Sequence, residues 1–243
     1  MGEAFFWGAV AASSLVVGAV IALVMPIHKR LLGLVMAFGA GVLISAVAFD
    51  LVEEASNTSD GPGTVALGMA AGAVAFYLGD ALIDRMGGAD RKSSTGAQAD
   101  GNGLAIVLGA VLDGIPESLV LGIGLLAGTG VSVAFLAAVF ISNLPEGLAA
   151  TAGLAKSGWS GRSVVGLWSV VVLVSALASL AGFGVFDNAS PTSIAFVLAF
   201  AGGAVLTMLA DTMMPEAFEN GGPQVGLLTT AGFAVAFALH LIE

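Results

Sequence analysis

The stretch Asp113-Gly114-Ile115-Pro116-Glu117 lies inside an apolar run at 103–127, and Ser142-Asn143-Leu144-Pro145-Glu146 lies inside another at 130–155. Each sets an oxygen-bearing side chain one helical turn before a Pro-Glu pair, and the second begins 29 residues after the first. Both runs are long enough to cross a bilayer, whose hydrocarbon core takes about 20 apolar residues as helix. An ionised glutamate costs several kcal/mol in hydrocarbon unless it is paired, hydrated or bound to a cation. Two such glutamates on consecutive helices, each beside a proline, point to a cation site inside the membrane.

The rest of the chain has the composition this requires. Of 243 residues, 58% are hydrophobic and only 10% charged, against about 25% charged in a soluble domain. The mean hydropathy is +1.02. An all-α polytopic membrane protein follows, expected as a single transmembrane domain over 1–243. There is no cysteine, which excludes disulfides and thiolate ligands. The net charge of −10 reflects few basic residues and several acids in apolar context, and no nucleic-acid partner is expected. The first apolar stretch has no basic segment before it and no small-residue cleavage site ahead of a polar domain, so it reads as a spanning helix.

Apolar runs between polar or Gly/Pro breaks give eight spans: roughly 5–26, 31–53, 63–84, 103–127, 130–155, 163–186, 192–218 and 224–242. The segment 85–102, rich in Asp, Ser, Gly, Arg and Lys, reads as a flexible cytoplasmic loop. All seven basic residues fall in alternate connections: Lys29 and Arg30, then Arg85, Arg91 and Lys92, then Lys156 and Arg162. Short loops rich in Lys and Arg stay cytoplasmic. Both termini are therefore expected outside, with the chain in the plasma membrane.

Asp113 and Glu117 are four residues apart, as are Ser142 and Glu146, so each pair lines up on one helix face. Pro116 and Pro145 each free a carbonyl one turn earlier, near residues 112 and 141. Such a break is tolerated in lipid where the freed group faces protein or water. A cation is thereby offered carboxylates and spare backbone oxygen together. Buried, hydrogen-bonded structural acids are the alternative reading.

Asp50 lies in Phe49-Asp50-Leu51-Val52-Glu53-Glu54-Ala55, and Asp211 in Ala210-Asp211-Thr212-Met213-Met214-Pro215-Glu216-Ala217. Each follows a small-residue run, Gly39-Ala40-Gly41-Val42-Leu43 and Gly202-Gly203-Ala204-Val205-Leu206, of the kind that lets helices pack closely. The likeness suggests a 3+2+3 arrangement, with spans 1–3 and 6–8 as an inverted repeat around a central pair, as in transporters with a midplane site. Asp50 and Asp211 are candidates for ligands or pathway residues. Glu53, Glu54 and Glu216 lie nearer the span ends, where they are solvated or gate a passage. Asp80 and Asp84 mark either a solvated helix end beside Arg85 or a cytoplasmic exit. His28 and His240, at helix ends, read as interfacial.

These motifs resemble the ZIP (Zrt/Irt-like) family of divalent metal transporters. Members carry His-Asn-x-Pro-Glu-Gly in helix 4 and x-[Asn/Asp]-x-Pro-Glu-Gly in helix 5. Here these positions read Asp113-Gly114-Ile115-Pro116-Glu117-Ser118 and Ser142-Asn143-Leu144-Pro145-Glu146-Gly147, and Asp211 to Glu216 resembles the helix 7 segment ending in Pro-Glu. The resemblance implies that Glu117 and Glu146 bind the transported ion, with Asp113, Ser142 and Asn143 at neighbouring ligand positions. It implies a divalent metal as substrate with no prosthetic group, movement by alternating access into the cytoplasm, and no enzyme activity. It also allows a homodimer.

The chain departs from the family pattern at several points. Asp113 replaces the helix 4 histidine and Gly114 the asparagine beside it. Residues 163–186 contain no acid, with Ser175 the nearest polar candidate there, so one site around Glu117 and Glu146 is expected and not a binuclear pair. Zinc sites usually contain imidazole or thiolate, while all-oxygen sites suit harder ions. An all-oxygen site would shift preference from zinc toward Mn²⁺ or Fe²⁺. The rival is a carrier of the same fold that has lost metal transport and moves protons or another solute. A hydrolase is disfavoured, because Gly79-Asp80 lacks the flanking glycines of aspartyl intramembrane proteases and no nucleophile motif is present.

Overall fold

The computed structural model describes residues 1–59, 61–88, 103–127 and 130–242. Most of the segment read as a cytoplasmic loop, with Arg91 and Lys92, lies outside the described residues. All regular structure among the described residues is helical. Seven stretches are long and apolar enough to cross a membrane, which makes this a multi-pass membrane protein. The helices are α1 (Gly2–Val24), α2 (Lys29–Thr58), α3 (Pro62–Gly88), α4 (Gly103–Gly124), α5 (Val133–Lys156) and α6 (Gly161–Phe186). The seventh stretch, Pro191–His240, has 50 residues, more than twice what a bilayer needs. It divides at Gly222, whose φ of +68° is open to glycine, into α7 (191–221) and α8 (Val225–His240).

Contacts at both ends of the helices fix their directions. Arg30 meets Gln224 at one end of α2 and α8, and Asp50 meets His240 at the other, so these two run parallel. α7 runs antiparallel to α2, with Ala217 and Gly221 beside Gly33 and Gly202 beside Val47 and Leu51. The chain therefore reverses at Gly222, and the count of eight spans holds. Local signals start several of the helices: Ser132, Ser160 and Ser190 each accept a backbone N–H three residues on, while Pro62 and Pro191 occupy first-turn positions.

Four helix pairs share one packing device. In α1·α5, α4·α6, α2·α8 and α3·α7 the close approach is made by Gly18 and Gly147, Gly122 and Gly182, Gly41 and Gly232, and Gly72 and Gly203. A Cβ on any of these would strike the backbone carbonyl oxygen of the residue three before its partner glycine. Without a hydrophobic drive between helices in lipid, such backbone approach is what dispersion packing needs. Exchanging α1 with α6, α2 with α7, α3 with α8 and α4 with α5 turns two of these pairs into the other two. That is the pattern of an inverted repeat around α4 and α5. The repeat extends to backbone detail: a π-helical stretch begins six residues after Gly41 in α2 (Val47–Glu53) and six after Gly203 in α7 (Leu209–Met213).

The pairs assemble into two groups, α1, α4, α5 and α6 on one side and α2, α3, α7 and α8 on the other. Within the first group Leu15, Ile106, Leu154, Val164, Trp168 and Val171 form their own apolar cluster. There the Trp168 indole donates to the Thr151 hydroxyl at 2.8 Å, joining α6 to α5 inside the core. The two groups meet where α5 packs on α2 and α4 on α7.

Candidate metal site

α4 and α5 continue as helices through Pro116 and Pro145. Pro145 frees the Ile141 carbonyl, and that oxygen packs against Gly39 of α2. The freed group thus faces protein and not lipid, the condition under which a membrane helix tolerates the break. Proline leaves the spacing of the flanking acids intact. On α4, Asp113 and Glu117 stay on one face and are buried, 3% and 2% exposed, with Ser118 beside them. On α5, Ser142 and Asn143 are buried and Glu146 is partly exposed. The Ser142 hydroxyl donates to the Val139 carbonyl at 3.0 Å.

Glu117, Ser142, Asn143 and Glu146 line one small cavity at the junction of the two helix groups. The facing wall is built by Met36 of α2 and by Met208, Met213 and Glu216 of α7. Four of the seven residues singled out from the sequence are therefore brought together. Among the described residues, no three carboxylate or imidazole side chains converge closely enough to hold an ion by themselves. An ion in the cavity would draw on the amide and hydroxyl of Asn143 and Ser142, on the thioethers or on water, or would draw the walls together.

The other candidates sit elsewhere. Asp113 is buried one turn before Glu117 but is outside the cavity lining. Its neighbour Gly114 faces the Ser175 hydroxyl of α6, 3.3 Å from where a Cβ would stand. Asp50 lies in the π-helical stretch of α2. Its carboxylate is 3.5 Å from the His240 Nδ1 and accepts the Ser132 hydroxyl at 3.3 Å. Phe49 beside it stacks on the His240 ring, with centroids 5.4 Å apart. Asp211, in the matching stretch of α7, is exposed. Asp50 and Asp211 thus do not reach the lining. Both lie in π-helical stretches, whose wider winding departs from the 3.6-residue register of the flanking helix.

Glu216 is the converse case. Expected at a solvated span end or a gate, it is a wall residue of the cavity, because α7 continues to Gly221. Its signal was present in the sequence as a third Pro-Glu pair, Pro215-Glu216. The methionine wall also went unread, although Met208, Met213 and Met214 cluster around Asp211. Glu53 and Glu54 are exposed, as a helix end predicts.

The chain is 30% identical over 215 residues, 86% of its length, to a protein of Arabidopsis thaliana named a "putative zinc transporter". It spans about a third of that relative, 34% of its length. No protein-family model matches the sequence.

Proposed function

We propose that this chain belongs to the ZIP family, as the relative and the paired Pro-Glu motifs together support, and that it carries divalent transition-metal cations across a membrane. The observation that carries the reading is that Glu117 and Glu146, from consecutive helices, line one cavity with Asn143 and Ser142 at the seam between two helix groups. An ion enters from outside and exchanges water for these side chains. The group of α1, α4, α5 and α6 then shifts against the group of α2, α3, α7 and α8 and opens the cavity inward. The alternating placement of the basic residues supports both termini outside and import into the cytoplasm across the plasma membrane. Close-packing small-residue faces are compatible with a homodimer.

The test is uptake of Zn²⁺, Mn²⁺, Fe²⁺ and Cd²⁺ into proteoliposomes by wild type and by the Glu117→Ala/Glu146→Ala variant. The reading requires uptake that the double substitution abolishes. No uptake of any ion by folded wild type overturns it.

A second reading, a carrier of the same fold that moves protons, draws support from Asp113 at the histidine position and from the lack of three converging ionisable side chains among the described residues. Metal-dependent thermal stabilisation, lost in Glu117→Gln, separates the two. A proton carrier shows none.

A further inference from the structure

The two walls of the cavity differ in chemistry. α4 and α5 present oxygen through Glu117, Ser142, Asn143 and Glu146, while the facing wall adds three thioethers, Met36, Met208 and Met213, beside Glu216. The lining is therefore not oxygen alone, which bears on the expected shift toward Mn²⁺ or Fe²⁺.

Met208 and Met213 flank one π-helical turn, Leu209–Met213. In an α-helix, residues five apart point in clearly different directions, whereas the i→i+5 bonding of a π turn stacks them. Both line the cavity and both are buried, 5% and 7% exposed. Glycine at position 39 leaves room for the end of Met213, whose terminal methyl lies 3.2 Å from where a Cβ would stand. Thioether sulfur is neutral and polarisable. It adds little for a hard ion such as Mn²⁺, which prefers carboxylate and water, and favours soft ones.

We propose that Met208 and Met213 give this site a preference for soft divalent ions, Cd²⁺ first and Mn²⁺ last. The proposal rests on the transport reading above and names the substrate class for the same site. Because the thioethers carry no charge, they separate ions by softness and leave the attraction of the glutamates for any divalent cation unchanged.

The test is calorimetric titration of the purified full chain with CdCl₂ and, separately, MnCl₂. Wild type is compared with Met208→Leu/Met213→Leu, a volume-conserving change that cores tolerate, and with Glu117→Gln. Wild type should bind Cd²⁺ more tightly than Mn²⁺. The double leucine variant should lose about tenfold in Cd²⁺ affinity and keep its Mn²⁺ affinity within about twofold. Equal losses for both ions, no loss for either, or no Cd²⁺ preference in wild type overturns the proposal. If it falls in one of these ways while Glu117→Gln loses both ions, the transport reading stands alone. If wild type binds neither ion, both fall. X-ray absorption at the cadmium edge of the loaded wild type gives a reading free of any variant: a sulfur shell supports the proposal, and an oxygen-only shell overturns it.

Discussion

Glu117 on α4 and Glu146 on α5 line one cavity from adjacent helices, the first sealed at 2% exposure and the second partly open. Each can offer a carboxylate to an ion in the cavity, so neither should be replaceable by its amide. Glu117→Gln and Glu146→Gln, both close in shape to the native side chain, should each weaken divalent-ion binding about tenfold or more, since affinity follows the ligand charge count. Titration of each purified variant with Cd²⁺ and Zn²⁺ checks this. An unchanged affinity in either variant removes that residue from the site.

Carboxylate ligands must be deprotonated to bind metal, so metal and protons compete. Uptake should slow and affinity weaken as the outside pH falls from about 7.5 to about 5.5. Binding should release protons, visible as a heat that varies with the ionisation enthalpy of the buffer. A buffer-independent heat and a flat pH profile would argue against carboxylate coordination.

Asp50 is engaged by His240 and Ser132 away from the cavity. Asp50→Asn should therefore leave metal affinity within about twofold. It should cost under about 1 kcal/mol of stability, since the pair is partly exposed. A binding loss as large as that of Glu117→Gln would return Asp50 to the ligand set.

Gly72 of α3 packs directly on the Phe200 carbonyl of α7, while Gly166 of α6 has open space beside it. Gly72→Ala should destabilise by about 1–3 kcal/mol, the range for forced overpacking. Gly166→Ala should be neutral or stabilising, because alanine is the better helix former. Thermal unfolding in detergent distinguishes them, and similar behaviour of the two would show that the close pairing is not needed.

Trp168 and Thr151 are both fully buried and joined at 2.8 Å. Trp168→Phe leaves the threonine hydroxyl without its donor and should cost about 1–3 kcal/mol. Adding Thr151→Val should recover part of that loss in a double-mutant cycle. Strict additivity would mean that the hydrogen bond contributes nothing.

Much of this molecule could be read before folding, for one physical reason. Lipid offers the backbone no hydrogen bonds, so each apolar run must be a helix. The run from Gly2 to Val24 and the Pro-Glu runs of α4 and α5 leave no other solution. The one-turn spacings Asp113 to Glu117 and Ser142 to Glu146 survived folding because each lies within regular helix, where the period of 3.6 holds. Asp50 and Asp211 each sit in a π turn, which nothing in a hydropathy pattern marks, and lie outside the cavity lining. That Glu216 lines the cavity could not be read from its place near the end of a span, because distance along a span says little about which neighbour a face meets.

The sequence by itself determined the membrane-spanning helices and the faces on which Glu117 and Glu146 lie, since these depend only on local periodicity and solvation. Tertiary structure decided that α8 runs beside α2 and brings His240 to Asp50. It also decided that the oxygen wall of α4 and α5 faces sulfur. Those outcomes depend on how each helix is rotated about its axis and on the π turn that lies between Met208 and Met214. Rotation is settled by glycine-to-carbonyl approaches between helices far apart in the chain, which no local pattern records.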